Sequence, residues 1–184
     1  MLPALTVAAL LLASASANAP LLKIGDEAPM FRLPTHNPQA SKMGSVALGN
    51  LVGPDADDDA KDVRVVLLSF FATWCGPCKR ELPFLAKYAD EMHARGLRVI
   101  AVAIDKDEAK FPEILELVKK NDVHFPVLRD RYNILARQYL GDESTLPSVF
   151  IIRKDGTIAL VKQGYDKDAS AFVKAEVEKV LAEK

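Results

Sequence analysis

The sequence predicts an α/β domain: a mostly parallel central sheet, an antiparallel hairpin at its edge, and helices on both faces. Three observations predict it. Two continuous apolar, β-branched runs, "VRVVLLSFFA" (Val63–Ala72) and "LRVIAVAID" (Leu97–Asp105), read as strands buried on both faces. Segments with helical apolar spacing alternate with such runs, as parallel strands require. Near the C-terminus "KDG" separates two strand-like segments, a strong hairpin signal.

In chain order, "LLKIGDEAPMFRLPT" reads as an extended arm pinned by Pro29. Residues 35–62 are rich in Gly, Pro, Asn and Asp and read as loop, with a short turn of strand or helix over Val46–Leu51. After the first buried strand, Leu82, Leu85, Ala89 and Met92 recur at intervals of three and four and form one apolar helical face. Gly96 is placed to end that helix. Beyond the second strand, Phe111–Asn121 reads as a helix with Pro112 in its first turn. "HFPVLRD" (His124–Asp130) reads as a short strand, and Tyr132–Leu140 as a short helix ended by Gly141. Pro147–Arg153 and Thr157–Tyr165 form the hairpin, and Asp168–Leu181 a terminal helix. There is no internal repeat and no second domain.

The chain is 49% hydrophobic and 27% charged, with a net charge of −1, which permits one packed core and shows no cationic footprint for nucleic acid. No charged residue precedes Lys23. The apolar run Leu5–Ala13, followed by "SASANA", has the form of a secretory signal peptide over residues 1–19, cut after Ala17 or Ala19. An uncleaved membrane tether is the rival, although the run is short of the roughly 20 residues that span a bilayer. Residues 20–184 form the domain. Asp55, Asp57 and Asp59 alternate like the start of a calcium loop, but Ala60 and Val66 stand where Gly and Glu are wanted, so 53–62 reads as a solvated acidic loop.

The only two cysteines, Cys75 and Cys78, lie in "WCGPCKRELP". As a staple they would do little, because closing so short a loop removes little chain entropy. As a metal clip they supply two of the four ligands a structural zinc wants, and His36, His93 and His124 are scattered. The third reading is a disulfide made and broken as the protein's work. Cys75 follows a buried strand and opens a helix, where free amides and the helix dipole stabilise a thiolate. Cys78 lies one turn deeper on the same face, and helical spacing brings the two Cα atoms to about 5–6 Å, within disulfide range. Cys75 is therefore the attacking sulfur and Cys78 the resolving one. Gly76 lets a partner's backbone approach, and Pro77 suits the first helical turn.

"FFATWCGPCKRELP" resembles the active site of the thioredoxin superfamily. Together with "GDEAPMFRL", an extra helix and strand over Glu108–Asp130, "TLPSVFIIRKDG" and the late "QGY", it resembles the exported TlpA/ResA-like branch. The resemblance implies a thioredoxin-like fold and an extracytoplasmic, bacterial periplasmic thiol–disulfide oxidoreductase acting on protein thiols and disulfides. It further implies a reductant, in some members serving cytochrome c maturation, recharged by a membrane electron donor of the DsbD type. No cofactor or metal is implied beyond the redox-active Cys75–Cys78 disulfide. Pro147 corresponds to the family's cis-proline, Leu146 before it would offer its backbone to a substrate strand, and Trp74 would flank the sulfurs. Ser69 stands where thioredoxin has a buried Asp. Glu81 stands where the ResA-like branch has a Glu, placed to take the proton of Cys78. Phe71 and Ser148 replace a frequent Trp and Thr. Two alternatives stay open. The "GDEAPMFRL" arm also resembles peroxiredoxins, although the Pro of their Pro-x-x-x-Thr-x-x-Cys site is unfilled here. A copper carrier would use the two thiols as ligands.

Overall fold

The computed structural model describes residues 22–142 and 145–183, so the leader expected over residues 1–19 lies outside the described residues. The N-terminal arm forms a small antiparallel pair, β1 (Arg32–Pro34) and β2 (Ser45–Ala47), around a short helix α1 (Pro38–Ser41). Over 46–51 the chain is strand and then a 3₁₀ turn, both of the forms expected there.

The main sheet has five strands in the order β5-β4-β3-β6-β7. Strands β3 (Val65–Phe71), β4 (Leu97–Ala103) and β5 (Val127–Arg129) run parallel, and β6 (Ser148–Arg153) and β7 (Ile158–Gln163) are the hairpin. Its inner strand β6 lies antiparallel against β3. All seven residues of β3 are buried, so the strand is covered on both faces and hydrogen-bonded along both edges. Helices α2 (Gly76–Met92), α3 (Phe111–Lys120), α4 (Ile134–Leu140) and α5 (Ala169–Ala182) pack around the sheet. Phe70, Tyr139 and Phe150 form an aromatic cluster in the core, with centroids 5.0–5.8 Å apart.

The arm is tied to the hairpin. Gly25 N–H donates to Ile158 C=O at 2.8 Å, and Ala28 N–H to Gly156 C=O at 2.9 Å. Tyr139 O–H donates to Pro29 C=O at 2.9 Å, fixing the arm where the proline stiffens it. The acidic loop is tied to the same hairpin: Lys154 Nζ donates to the carbonyls of Leu51 and Ala60 at 3.0 and 2.8 Å. Its acids do not converge. Among the described residues no group of three His, Cys, Asp or Glu is placed to hold a metal ion. No helix among them is long and apolar enough to cross a membrane.

Helix α2 runs on through a 3₁₀ turn, His93–Arg95, to Gly96 at φ +97°. A Cβ on Gly96 would stand 2.6 Å from Asp62 C=O and 2.8 Å from Arg64 Cγ. Gly96→Ala therefore adds a clash with backbone to the cost of a left-handed alanine. The expected loss of unfolding free energy, read by urea denaturation, exceeds about 1–2 kcal/mol.

Candidate active site

The site is built where β3 ends. Phe71 is its last residue, Ala72 and Thr73 are buried, and Cys75 caps α2. Cys75 N–H donates to Ala72 C=O at 3.1 Å, which closes the turn. Cys78 N–H then donates to Cys75 Sγ at 3.2 Å, so a free amide of the first helical turn is aimed at that sulfur. Pro77 occupies the first turn, where its missing N–H leaves no donor unsatisfied. The two cysteines are disulfide-bonded, with Cα atoms 5.3 Å apart. Cys75 is 5% exposed and Cys78 1%, so the sulfur expected to attack is the more accessible of two buried ones.

Glu81 follows Cys78 at i+3 on the same side of α2 and is half-buried. Its Oε2 accepts a long hydrogen bond, 3.5 Å, from Ser69 Oγ on β3. The carboxyl thus faces the sheet. Burial pushes it up to about 7, and the Ser69 hydroxyl, which favours the charged form, opposes this weakly. The hydroxyl at position 69 and the carboxyl at 81 come from different elements and share one partly dry space.

The Leu146–Pro147 peptide bond is cis. Strand β6 begins at Ser148, opposite Phe70, so Pro147 is level with the end of β3 and beside the cysteine turn. Gly164 N–H donates to Pro147 C=O at 2.8 Å, and Ser148 Oγ donates to Thr145 C=O. Pro147 is buried and Leu146 half-buried.

The rim is apolar on one side and cationic over an aromatic ring on the other. Trp74 is 67% exposed. Across the site the Arg80 guanidinium lies 4.9 Å from the centroid of Tyr165, the residue after Gly164. Lys79 Nζ lies 3.0 Å from Glu113, joining α2 to α3. Lys79 and Arg80 thus make contacts to α3 and to Tyr165 while Arg80 stays exposed to solvent.

One group of the site has no counterpart in the sequence reading. Asp105, just past the end of β4, accepts from Thr73 N–H at 3.0 and 3.2 Å and from Thr73 Oγ1 at 2.7 Å. It holds the turn that presents Trp74 and Cys75. The available signal was topological: parallel β3 and β4 end together, so the second residue past β4 lies beside the second residue past β3.

Comparison with known proteins agrees with this geometry. The model of the AhpC/TSA family matches residues 24–161. The thiol–disulfide oxidoreductase ResA of Oceanobacillus iheyensis is 28% identical over 145 residues, covering 78% of this chain and 67% of that one. The thioredoxin-like protein YneN of Bacillus subtilis is 30% identical over 140 residues, covering 76% and 71%. Against the ResA of B. subtilis, 31% identical, the chain spans 52% of the relative's length. Among solved structures, a candidate thiol:disulfide interchange protein DsbE from Chlorobium tepidum superposes with a TM-score of 0.71 at 26% identity, covering 88% of this chain and 99% of that one.

Replacing Asp105 leaves the buried Thr73 hydroxyl and amide without an acceptor. Asp105→Ala is expected to lower stability by about 1–3 kcal/mol in urea denaturation of the oxidised protein. Adding Thr73→Val recovers part of that loss, because one of the two orphaned donors is then removed.

Proposed function

Because this chain belongs to the AhpC/TSA family and its relatives are named thiol–disulfide oxidoreductases, we propose that it reduces disulfides of protein targets outside the cytosol. The observation that carries the reading is the sulfur of Cys75 facing a helix-terminal amide, with Cys78 bonded to it from beneath. In the reduced protein, the Cys75 thiolate attacks one sulfur of a target disulfide and releases the other as a thiolate. The Cys78 thiolate then attacks Cys75 Sγ, the mixed disulfide breaks, and the target leaves with two thiols. The target gains two electrons and two protons, and the Cys75–Cys78 pair loses them.

Glu81 is the base we assign to the second step. A carboxyl with a pKa of about 7 is partly ionised at neutral pH and can take the Cys78 proton. Trp74, Gly76 and Pro77 border the opening, and Leu146–Pro147 supplies the backbone a target strand would pair with. The reducing direction, a membrane donor of the DsbD type that restores the thiols, and a place in cytochrome c maturation rest on the resemblance to the TlpA/ResA-like branch. The periplasmic location rests on the signal-peptide form of residues 1–19.

A second reading, a thiol peroxidase, is favoured by the AhpC/TSA match itself. Against it, Thr73 Oγ1 is turned to Asp105 and is engaged there. The exchange reading expects no hydrogen peroxide consumption above that of a free thiol, measured with dithiothreitol as electron source.

Trapping tests the exchange directly. With Cys78→Ser, a target stays covalently bound to Cys75 and runs as a dithiothreitol-sensitive adduct. If no adduct forms, or the Cys75→Ser control yields the same one, the reading fails.

The pH dependence tests Glu81. In single-turnover decay of the mixed disulfide, the wild-type rate is expected to rise as pH passes upward through about 7, and Glu81→Gln to lose that rise. Stability supplies an independent check. The folded carboxyl titrates near 7 against a usual 4.5, so the fold binds this proton more tightly than the unfolded chain. Its contribution is complete below about 4.5 and is lost as pH rises through about 7. Glu81→Gln removes that slope from the urea midpoint of the oxidised protein.

A further inference from the structure

Two surface clefts adjoin at Asn133, and one of them reaches Trp74. One, of about 420 Å³, is walled by Trp74, Ile104, Lys110 and Asn133 among others. The other, of about 480 Å³, is walled by Met30, Tyr132, Ile134 and Gln138 among others. Asn133 belongs to the first and its two chain neighbours to the second, so Tyr132–Ile134 is the ridge between them. Trp74, Tyr132, Ile134 and Met30 are 67%, 65%, 55% and 52% exposed. A single exposed apolar side chain needs no explanation, but Trp74, Tyr132 and Ile134 gathered about one residue, Asn133, do; Met30 lies at the far end of the second cleft, against the turn at Gly53 and Gly156.

The ridge is braced. Asp130, itself buried, accepts from Ile134 N–H at 3.0 Å and Ala136 N–H at 2.7 Å. Asn133 N–H donates to Asp130 C=O at 3.0 Å, and Asn133 sits at φ +51°. The chain is thus held in a sparsely populated conformation that leaves Tyr132 and Ile134 in solvent. Nearby charges are only partly paired: Arg129 and Arg131 share Glu108, Lys110 shares Glu113 with Lys79, and Lys106 lines the first cleft beside Asp105 and Asp107. Arg131 also covers the Tyr132 ring at 5.4 Å. What the ridge offers outward is apolar and aromatic surface bordered by the cations of Arg129 and Arg131.

A polypeptide joined to Cys75 through a disulfide extends from the site in two directions. Leu146–Pro147 borders one side. Trp74, the residue before Cys75, opens the other onto the ridge. We infer that the Trp74–Asn133–Ile134 ridge is a second docking subsite, which takes an apolar or aromatic side chain of the target on one side of its reacting cysteine. This inference rests on the exchange reading and deepens it. A folded target keeps such side chains inside, whereas an extended one presents them, so the ridge selects unfolded or partly folded targets.

The test uses the reduced full-length domain and peptides whose single cysteine carries 5-thio-2-nitrobenzoate as a mixed disulfide. Attack on the peptide sulfur releases the coloured thiolate. Resolution by Cys78 then frees the peptide thiol and oxidises the pair, so electrons balance within the mixture. One Phe is moved stepwise outward from the cysteine, first toward the peptide N-terminus and then toward its C-terminus. The expected result is a gain in kcat/KM of about tenfold at some spacing on one side only. The gain vanishes in Tyr132→Ser/Ile134→Ser. Both replaced residues are exposed, and the variant reacts at the wild-type rate with the thionitrobenzoate adduct of cysteine methyl ester, which is too small to reach the ridge. If that small probe reacts no faster than with free cysteine, the exchange reading falls and the ridge's role falls with it. If the small probe reacts fast but Phe gives no one-sided gain, or the gain survives in the variant, the ridge alone is overturned.

Discussion

Between Phe71 and Gly76 the chain turns from a strand with every residue buried into a helix with a first-turn amide, that of Cys78, facing a sulfur. The rest of the site depends on that turn. Strand β3 cannot shift, because both its edges are hydrogen-bonded and both its faces are packed. Helix α2 therefore starts at a fixed point, and Cys75 with it. Three restraints act on the short linker: the Cys75 amide on Ala72, the Asp105 carboxylate on Thr73, and Pro77 in the first turn. A sulfur at a helix start is stabilised as an anion only while the amides stay aimed at it. Rigid placement is thus part of the chemistry. The disulfide closes too short a loop to stabilise the fold, so packing has to hold the turn when the bond is open.

The same burial that fixes the turn sets the charge state beneath it. A carboxyl facing the sheet loses water, and its protonated form gains relative to the ionised one. The Ser69 hydroxyl returns only part of the lost solvation, through a long hydrogen bond. A second acid at position 69 would face the first across the same space, and like charges there would drive one of them further from ionisation. A hydroxyl on the strand with a carboxyl on the helix leaves one titrating group in that space, the one proposed above as the base for Cys78.

Local chemistry was readable from the residues; its cross-links were not. Val65–Phe71 announced a buried strand by an apolar run broken only by Ser69, and the cysteine spacing announced its own geometry. Position i+3 was enough to put Glu81 on the Cys78 side of the helix. Its burial could not be read, because that depends on what β3 presents opposite it. Asp105 and Thr73 meet across 32 residues of sequence, and neither is unusual in its own segment. Arg80 and Tyr165 are a lone helix cation and a lone tyrosine until the hairpin brings them together. The inward placement of β6 against β3 also exceeded what "KDG" could say, since a turn fixes which strands are joined and not what they pair with next. Helix α1 in the arm is too short for periodicity to show.

Gly76 separates what the fold needs from what the exchange needs. Its φ lies outside the left-handed region, so no turn demands a glycine there. A Cβ added to it would meet only the tip of Arg80, at 3.8 Å, an ordinary contact with a flexible side chain. Contrast Gly96, where backbone stands at 2.6 Å from the same imagined atom. Inside the molecule, then, an alanine at position 76 is acceptable and would even favour the helix. On the proposed exchange, a glycine at this position keeps open the path to Cys75, a residue only 5% exposed. In-line attack on a disulfide needs three sulfurs close to one axis, and a target chain has to come within contact distance of the helix start to achieve it. With a bare backbone at 76 and the exposed Trp74 beside it, the proposed exchange has an approach wide enough for a polypeptide as well as for a small thiol.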